Sequence, residues 1–163
     1  IDVTVETYVE GKIRSIKTPL FIMYNKEYNM FMCNFPQYAT TEYKGKKITF
    51  HDPCYLGRAN NVYEAPRELI QKLDAELVEM KRSKANGLCC GAGGAQMFKD
   101  AEPGNKEVFI ERTEDALETQ PQVIAAGCPF CNTMLTDGVK NKEKEGEIKV
   151  MDVAELIANA QDL

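Results

Sequence analysis

Val123-Ile124-Ala125-Ala126-Gly127-Cys128-Pro129-Phe130-Cys131 decides the fold of this chain. Four apolar residues in a row, closed by glycine, have the look of a short strand buried on both faces. Pro129 then falls where the first turn of a helix tolerates proline, and Met134, Leu135 and Val139 follow at helical spacing. A doubly buried strand running straight into a helix is the unit from which parallel sheets are built.

The same unit recurs on either side. Upstream, Ile48-Thr49-Phe50 reads as a strand leading into His51-Asp52-Pro53-Cys54. A helix follows from about Pro66, with Leu69, Ile70 and Leu73 on one stripe, and a second strand is expected over Leu77 to Met80. Gly91, Gly93 and Gly94 suggest a tight turn into a short helix around Gln96 to Lys99. Glu107 to Glu118 carries Val108, Phe109, Arg112, Ala116 and Leu117 as an amphipathic helix. Downstream, Ile148 to Met151 reads as a last strand, and Asp152 with Glu155 resembles a capping box ahead of Val153 to Ala160. The expected fold class is therefore α/β, a mainly parallel sheet flanked by helices, with a β-rich N-terminal extension. The division expected is residues 1–43 as the extension and 44–163 as the main domain. Within the extension, loose alternation from Asp2 to Lys17 around Glu10-Gly11 suggests a hairpin. Leu20 to Cys33, rich in methionine and aromatics, reads as strand or loop packed on the rest.

Composition narrows the function. The chain has 163 residues, 44% of them hydrophobic and 28% charged, which is ordinary for a globular protein. The net charge of −5 makes nucleic acid and anionic membrane poor main partners. The apolar runs are too short for a transmembrane segment, and the start at Ile1 shows no signal-peptide pattern, so a cytoplasmic location is expected.

The six cysteines are too few for a disulfide scaffold. Five of them form a pattern: Cys54, thirty-four residues, Cys89-Cys90, thirty-seven residues beginning with Gly91, then Cys128-Pro129-Phe130-Cys131. Adjacent cysteines and C-x-x-C without a secretory context read as metal or redox chemistry. Thiolates favour zinc, copper(I) and iron–sulfur clusters. The side chains of adjacent cysteines diverge, which suits different iron atoms of one polynuclear centre better than a single ion. Five thiolates are also one more than a closed tetrahedral zinc site needs. In a parallel sheet ligands lie beyond the carboxyl ends of the strands, so all five cysteines are expected at one edge. Cys33 lies outside the pattern and reads as a core thiol. His51 reads as a donor to a cluster sulfur or as a core residue. Tyr55, Arg58 and Arg67 read as surface or packing residues.

His51-Asp52-Pro53-Cys54, Cys89-Cys90-Gly91-Ala92-Gly93-Gly94 and Gly127-Cys128-Pro129-Phe130-Cys131 resemble the cysteine-rich (CCG) domain. That domain occurs in heterodisulfide reductase subunits and in iron–sulfur subunits of glycolate, lactate and glycerol-3-phosphate oxidation. The resemblance covers about Lys44 to Leu163. It implies Cys54, Cys89, Cys90, Cys128 and Cys131 as ligands of a 4Fe–4S cluster, noncubane in heterodisulfide reductases, with Gly91 in close backbone approach. It also implies electron transfer beside other redox subunits, flavoprotein or iron–sulfur, through which any membrane contact would be made. In that family the domain usually comes as two copies. One copy is visible here, and Met32-Cys33-Asn34-Phe35-Pro36 does not reproduce the C-P-x-C ending of an earlier one. The alternatives are a zinc-binding structural module on four of the five thiolates, or a dithiol–disulfide oxidoreductase using Cys128 and Cys131.

Overall fold

The computed structural model describes residues 2–9, 12–19, 22–25, 30–33, 41–101 and 103–160. The chain divides into two units, Ile1–Ala39 and Thr40–Leu163.

In the first unit β1 (Asp2–Val9) pairs antiparallel with β2 (Lys12–Pro19), Val9 opposite Lys12, as the alternating pattern predicts. A second antiparallel pair, β3 (Ile22–Asn25) with β4 (Met30–Cys33), occupies the methionine-rich stretch. The Glu10-Gly11 turn, Leu20 and residues 34–40 lie outside the described residues.

The second unit is built on four parallel strands: β5 (Lys47–His51), β6 (Glu76–Leu77), β7 (Val123–Ala126) and β8 (Lys149–Asp152), in the order β6-β5-β7-β8. The helices α1 (Glu64–Gln71), α2 (Val108–Leu117), α3 (Pro129–Asn141) and α4 (Val153–Ala160) cover both faces. Side chains alternate across a strand, and the register Ile48 to Val123, Phe50 to Ala125 puts these four on one face. They form a core with Tyr43, Ile70 and Leu73 and with Val153, Leu156 and Ala160 of α4. Ile124 and Ala126 point the other way, into a second core with Met80, Cys90, Ala116, Cys131, Leu135 and Val139. The run 123–126 is buried throughout, as its unbroken apolar sequence requires. Asp152 and Glu155 form the expected capping box: Glu155 Oε2 accepts from the Asp152 N–H, and Asp152 Oδ1 from the Ala154 N–H, both at 2.8 Å.

Two elements differ from the sequence expectation. β6 stops at Leu77; one more rung, Val78 N–H to the Ile48 carbonyl, follows before the chain leaves the sheet. Met80 is instead buried in the second core, so the backbone turns away toward the cysteine pair. The helix expected at Gln96 to Lys99 is a 3₁₀ segment, Gly93–Phe98, kinked at Gly94 and Ala95, whose φ values are 64° and 61°. Among the described residues no helix is long and apolar enough to cross a membrane.

Candidate metal centre

Three loops at the carboxyl edge of the sheet carry the five cysteines. β5 ends at His51, and Cys54 opens a single π-helical turn, Tyr55–Ala59, in which the Ala59 N–H reaches the Cys54 carbonyl at 3.0 Å. Such turns concentrate at functional sites. β7 ends at Ala126, and Cys128 is the extended N-cap residue of α3, with Pro129 at the first helical position. Proline has no N–H to donate and φ suited to the helix, so this loop is fixed at little cost. Its C-x-x-C spacing then places Cys131 one turn into α3, near the unpaired N–H groups of the helix start, which favour a thiolate. Cys89 and Cys90 lie in the segment that runs on from β6.

The buried members meet. Cys131 Sγ lies 3.3 Å from Cys90 Sγ. The Cys131 thiol, donating to Cys90, draws Cys90 down to about 4 against the opposing effect of burial, with His51 and the Ala92 N–H assisting. Cys131 keeps the shared proton, and its own pKa is pushed up by that bond and by burial. Within the pair Cys131 is the donor and Cys90 the acceptor. Two thiolates bound at about 2.3 Å to one tetrahedral ion would stand roughly 3.8 Å apart, so metal binding would open this contact slightly.

The other three thiols flank the pair. Cys89 and Cys128 are half-buried and pack against the same core as Cys90 and Cys131. Cys54 is exposed and lines a small crevice together with Cys89, Asp52, Lys84 and Gly87. The Gly91 N–H donates to Cys89 Sγ at 3.4 Å. Gly91 has φ +92°, and a Cβ there would come within 3.2 Å of the Phe109 nitrogen, so glycine is required for this approach to sulfur. Thus Cys54, Cys89, Cys90, Cys128, Cys131 and Gly91 all lie on loops at this edge; among the described residues the ligand atoms found within 4.8 Å of one another are those of Cys90, Cys131 and His51. Cys33 belongs to β4 in the other unit.

His51 follows from strand alternation. It pairs in register with Ala126 and so faces the second core. There its ring and the sulfurs of Cys90 and Cys131 place their ligand atoms within 4.8 Å of one another. Burial pushes the imidazole pKa down, against the raising effect of the Cys90 contact. Its Nδ1 accepts from Arg112 Nε at 2.9 Å, while Nε2 is buried without a nitrogen or oxygen partner. Asp52, one residue on, faces the opposite side. It is clasped by Arg67, whose guanidinium bonds both carboxylate oxygens at 2.8 and 2.9 Å and also reaches Glu79. Burial pushes the Asp52 carboxyl up, but Arg67 and the Lys84 N–H outweigh it and hold it below the ordinary carboxylate range. Arg67 thus has the packing role expected, over the Phe50 ring at 5.4 Å. Arg58 donates to the Gly87 carbonyl, bridging the Cys54 and Cys89 loops, and Tyr55 is exposed.

Sequence reasoning missed Arg112. It is 0% exposed and braced by the Arg82 carbonyl and Asp115. The available signal was its place in the α2 stripe, four residues from both Val108 and Ala116.

The family model of the cysteine-rich domain, CCG, matches residues 48–136, the span that holds all of this edge. The chain belongs to the CCG family. Among curated proteins it is similar to the "Probable iron-sulfur-binding oxidoreductase FadF" of Bacillus subtilis, 53% identical over 114 residues. It is also similar to the "EtfAB:quinone oxidoreductase" of Syntrophomonas wolfei, 40% over 124 residues. A third relative is a subunit of the dihydromethanophenazine:CoB–CoM heterodisulfide reductase of Methanosarcina barkeri, 42% identical over 120 residues. These matches cover 69%, 72% and 72% of this chain but only 16%, 17% and 28% of the relatives, so the CCG chain spans a minor part of their length.

Proposed function

We propose that this CCG domain holds a 4Fe–4S cluster, of cubane or noncubane form, on Cys54, Cys89, Cys90, Cys128 and Cys131, and passes electrons within a larger redox system. The observation that carries the reading is that five thiols sit on three loops at one sheet edge, two of them buried with their sulfurs 3.3 Å apart. Soft sulfur donors suit iron–sulfur ligation. His51 Nε2, which has no nitrogen or oxygen partner, and the Gly91 N–H supply the N–H groups that cluster sulfurs accept. When bound, the cluster supplies one-electron chemistry; the chain contributes thiolates, N–H donors and a half-buried setting. The names of the relatives support the same class: an iron–sulfur-binding oxidoreductase, a quinone oxidoreductase and part of a heterodisulfide reductase. Other redox subunits, flavoprotein or iron–sulfur, are the partners this implies, in the cytoplasm or at a membrane face.

A zinc module would leave one of the five thiols without a role. A Cys128–Cys131 dithiol would leave unexplained the pairing of Cys131 with Cys90.

The test is a serine panel. In the full chain, reconstituted anaerobically with ferrous iron and sulfide, Cys89→Ser, Cys90→Ser, Cys128→Ser and Cys131→Ser should each abolish or convert the visible absorption. Cys54→Ser should weaken or convert it, and Cys33→Ser should leave it intact. A cluster lost in Cys33→Ser, or unchanged in Cys90→Ser, overturns the assignment.

A further inference from the structure

Behind the Cys90–Cys131 pair stands a line of groups that thiolate ligation does not use. His51 is the one histidine of the chain and is 1% exposed. Arginine remains protonated and can only donate, so the 2.9 Å contact from Arg112 Nε makes Nδ1 the acceptor. A ring whose Nδ1 accepts that bond carries its proton on Nε2. That buried N–H has no nitrogen or oxygen to receive it, and the ring shares its pocket with the Cys90 and Cys131 sulfurs. The acceptors within its reach are those sulfurs, and His51 already assists Cys90 as a hydrogen-bond donor.

Arg112 is itself locked. Its Nη1 donates to the Arg82 carbonyl at 2.6 Å and lies 3.5 Å from Asp115 Oδ2. Asp115 is held in turn by Arg82 at 2.6 Å and Lys81 at 3.3 Å. Nη2, like His51 Nε2, is buried without a partner. The guanidinium cannot swing away from the imidazole without breaking this lattice.

We infer that Arg112 is a positioning residue: it holds His51 as the Nε2–H tautomer, so that an N–H donor with a fixed positive charge behind it faces the Cys90 and Cys131 sulfurs and raises the reduction potential of the cluster they hold. This rests on the iron–sulfur reading above. Reduction adds negative charge that spreads onto the ligand sulfurs. An N–H and a cation nearby stabilise the reduced form more than the oxidised one. Burial leaves little water to screen the effect. Without Arg112 the imidazole is free to place its proton on Nδ1, and a lone pair would then face the sulfurs and act in the opposite direction.

Two measurements on the full chain test this. With ¹⁵N-labelled histidine, the metal-free protein gives signals from His51 alone, and their pattern reports the tautomer. Dithionite titration of the anaerobically reconstituted protein, with redox mediators, gives the midpoint potential. Wild type should show the Nε2–H tautomer. His51→Leu and Arg112→Leu should shift the potential to more negative values. Arg112→Lys, which keeps the charge but cannot reproduce the Nε contact, should show mixed tautomers and a smaller negative shift. If Arg112→Leu does not fold, His51→Leu and Arg112→Lys decide the matter. An Nδ1–H tautomer in wild type, or one common potential across the folded variants, overturns the inference. A wild-type chain that takes up no iron and sulfide refutes the ligation reading instead, and the tautomer still decides the role of Arg112 toward His51. A purely structural arginine would change stability and leave tautomer and potential where they are.

Discussion

Replacing Arg67 with methionine should unmake the support beneath the Cys54 loop. Arg67 is 3% exposed, and its partner Asp52, 4% exposed, sits two residues before Cys54. The guanidinium makes two bonds to Asp52, two to Glu79 and one to the Tyr63 carbonyl. Methionine fills much of the stem volume against Phe50 but leaves the buried carboxylate unmatched. Breaking a buried pair from one side costs about 3–5 kcal/mol; the Lys84 N–H that still bonds Asp52 at 2.7 Å argues for the lower end. A total stability of about 5–15 kcal/mol makes that a large fraction. The pH dependence identifies the cause. In wild type the Asp52 pKa is depressed, so the pair contributes fully above the ordinary carboxylate pKa of about 3.9 and is lost as pH falls through the lowered value. In Arg67→Met the raising effect of burial is opposed only weakly, by the Lys84 N–H, so the carboxyl takes up a proton more readily and the penalty shrinks on acidification. Urea unfolding followed by circular dichroism, at about pH 7 and about pH 4.5, should therefore show a wide gap between the proteins at the higher pH and a narrow one at the lower. A loss below about 1 kcal/mol at neutral pH, the range of a surface pair, or a gap independent of pH, would refute the buried-charge account.

Gly138→Ala should destabilise by about 1–2 kcal/mol despite alanine's better helix propensity. A Cβ there falls 1.9 Å from Thr113 Oγ1 and 2.9 Å from Thr113 Cβ, so α2 and α3 must part; Gly138→Ala with Thr113→Ala should recover much of the loss in thermal melts. Asp115, 1% exposed, would be pushed up by burial, but Arg82 and Lys81 hold its pKa low. Its contribution is therefore present above the unfolded carboxylate pKa and lost as pH falls through the lowered value, and Asp115→Asn should flatten the acid limb of the stability curve. Removing iron with a chelator under anaerobic conditions should leave far-ultraviolet circular dichroism close to that of the loaded protein. The two cores, from Tyr43 to Ala160 and from Met80 to Val139, are built mostly from apolar side chains of the strands and helices; collapse of the helical signal would show that they need the metal.

Local patterns carried the architecture. The apolar run 123–126, proline at 129 and the Asp152/Glu155 box are all decided within a few residues, and each element forms where its sequence places it. The cysteine edge was equally legible, since parallel strands deliver their following loops to one side. Buried charge was not. Arg112 in the α2 stripe and Arg67 beside Pro66 look like ordinary helix residues until His51 and Asp52, 61 and 15 residues away in sequence, are brought to them. The early end of β6 was hidden for a similar reason: Met80 suits a strand by type, but the core that claims it lies on the far face of the sheet.

The central claim is that the five thiols hold a polynuclear iron–sulfur centre, and elemental analysis tests it most directly. The full chain should be reconstituted anaerobically with ferrous iron and sulfide, with zinc also offered, then desalted and assayed for iron, acid-labile sulfide and zinc per chain. The account predicts a brown protein with several iron and a matching amount of sulfide. A colourless protein carrying one zinc and no sulfide would contradict it.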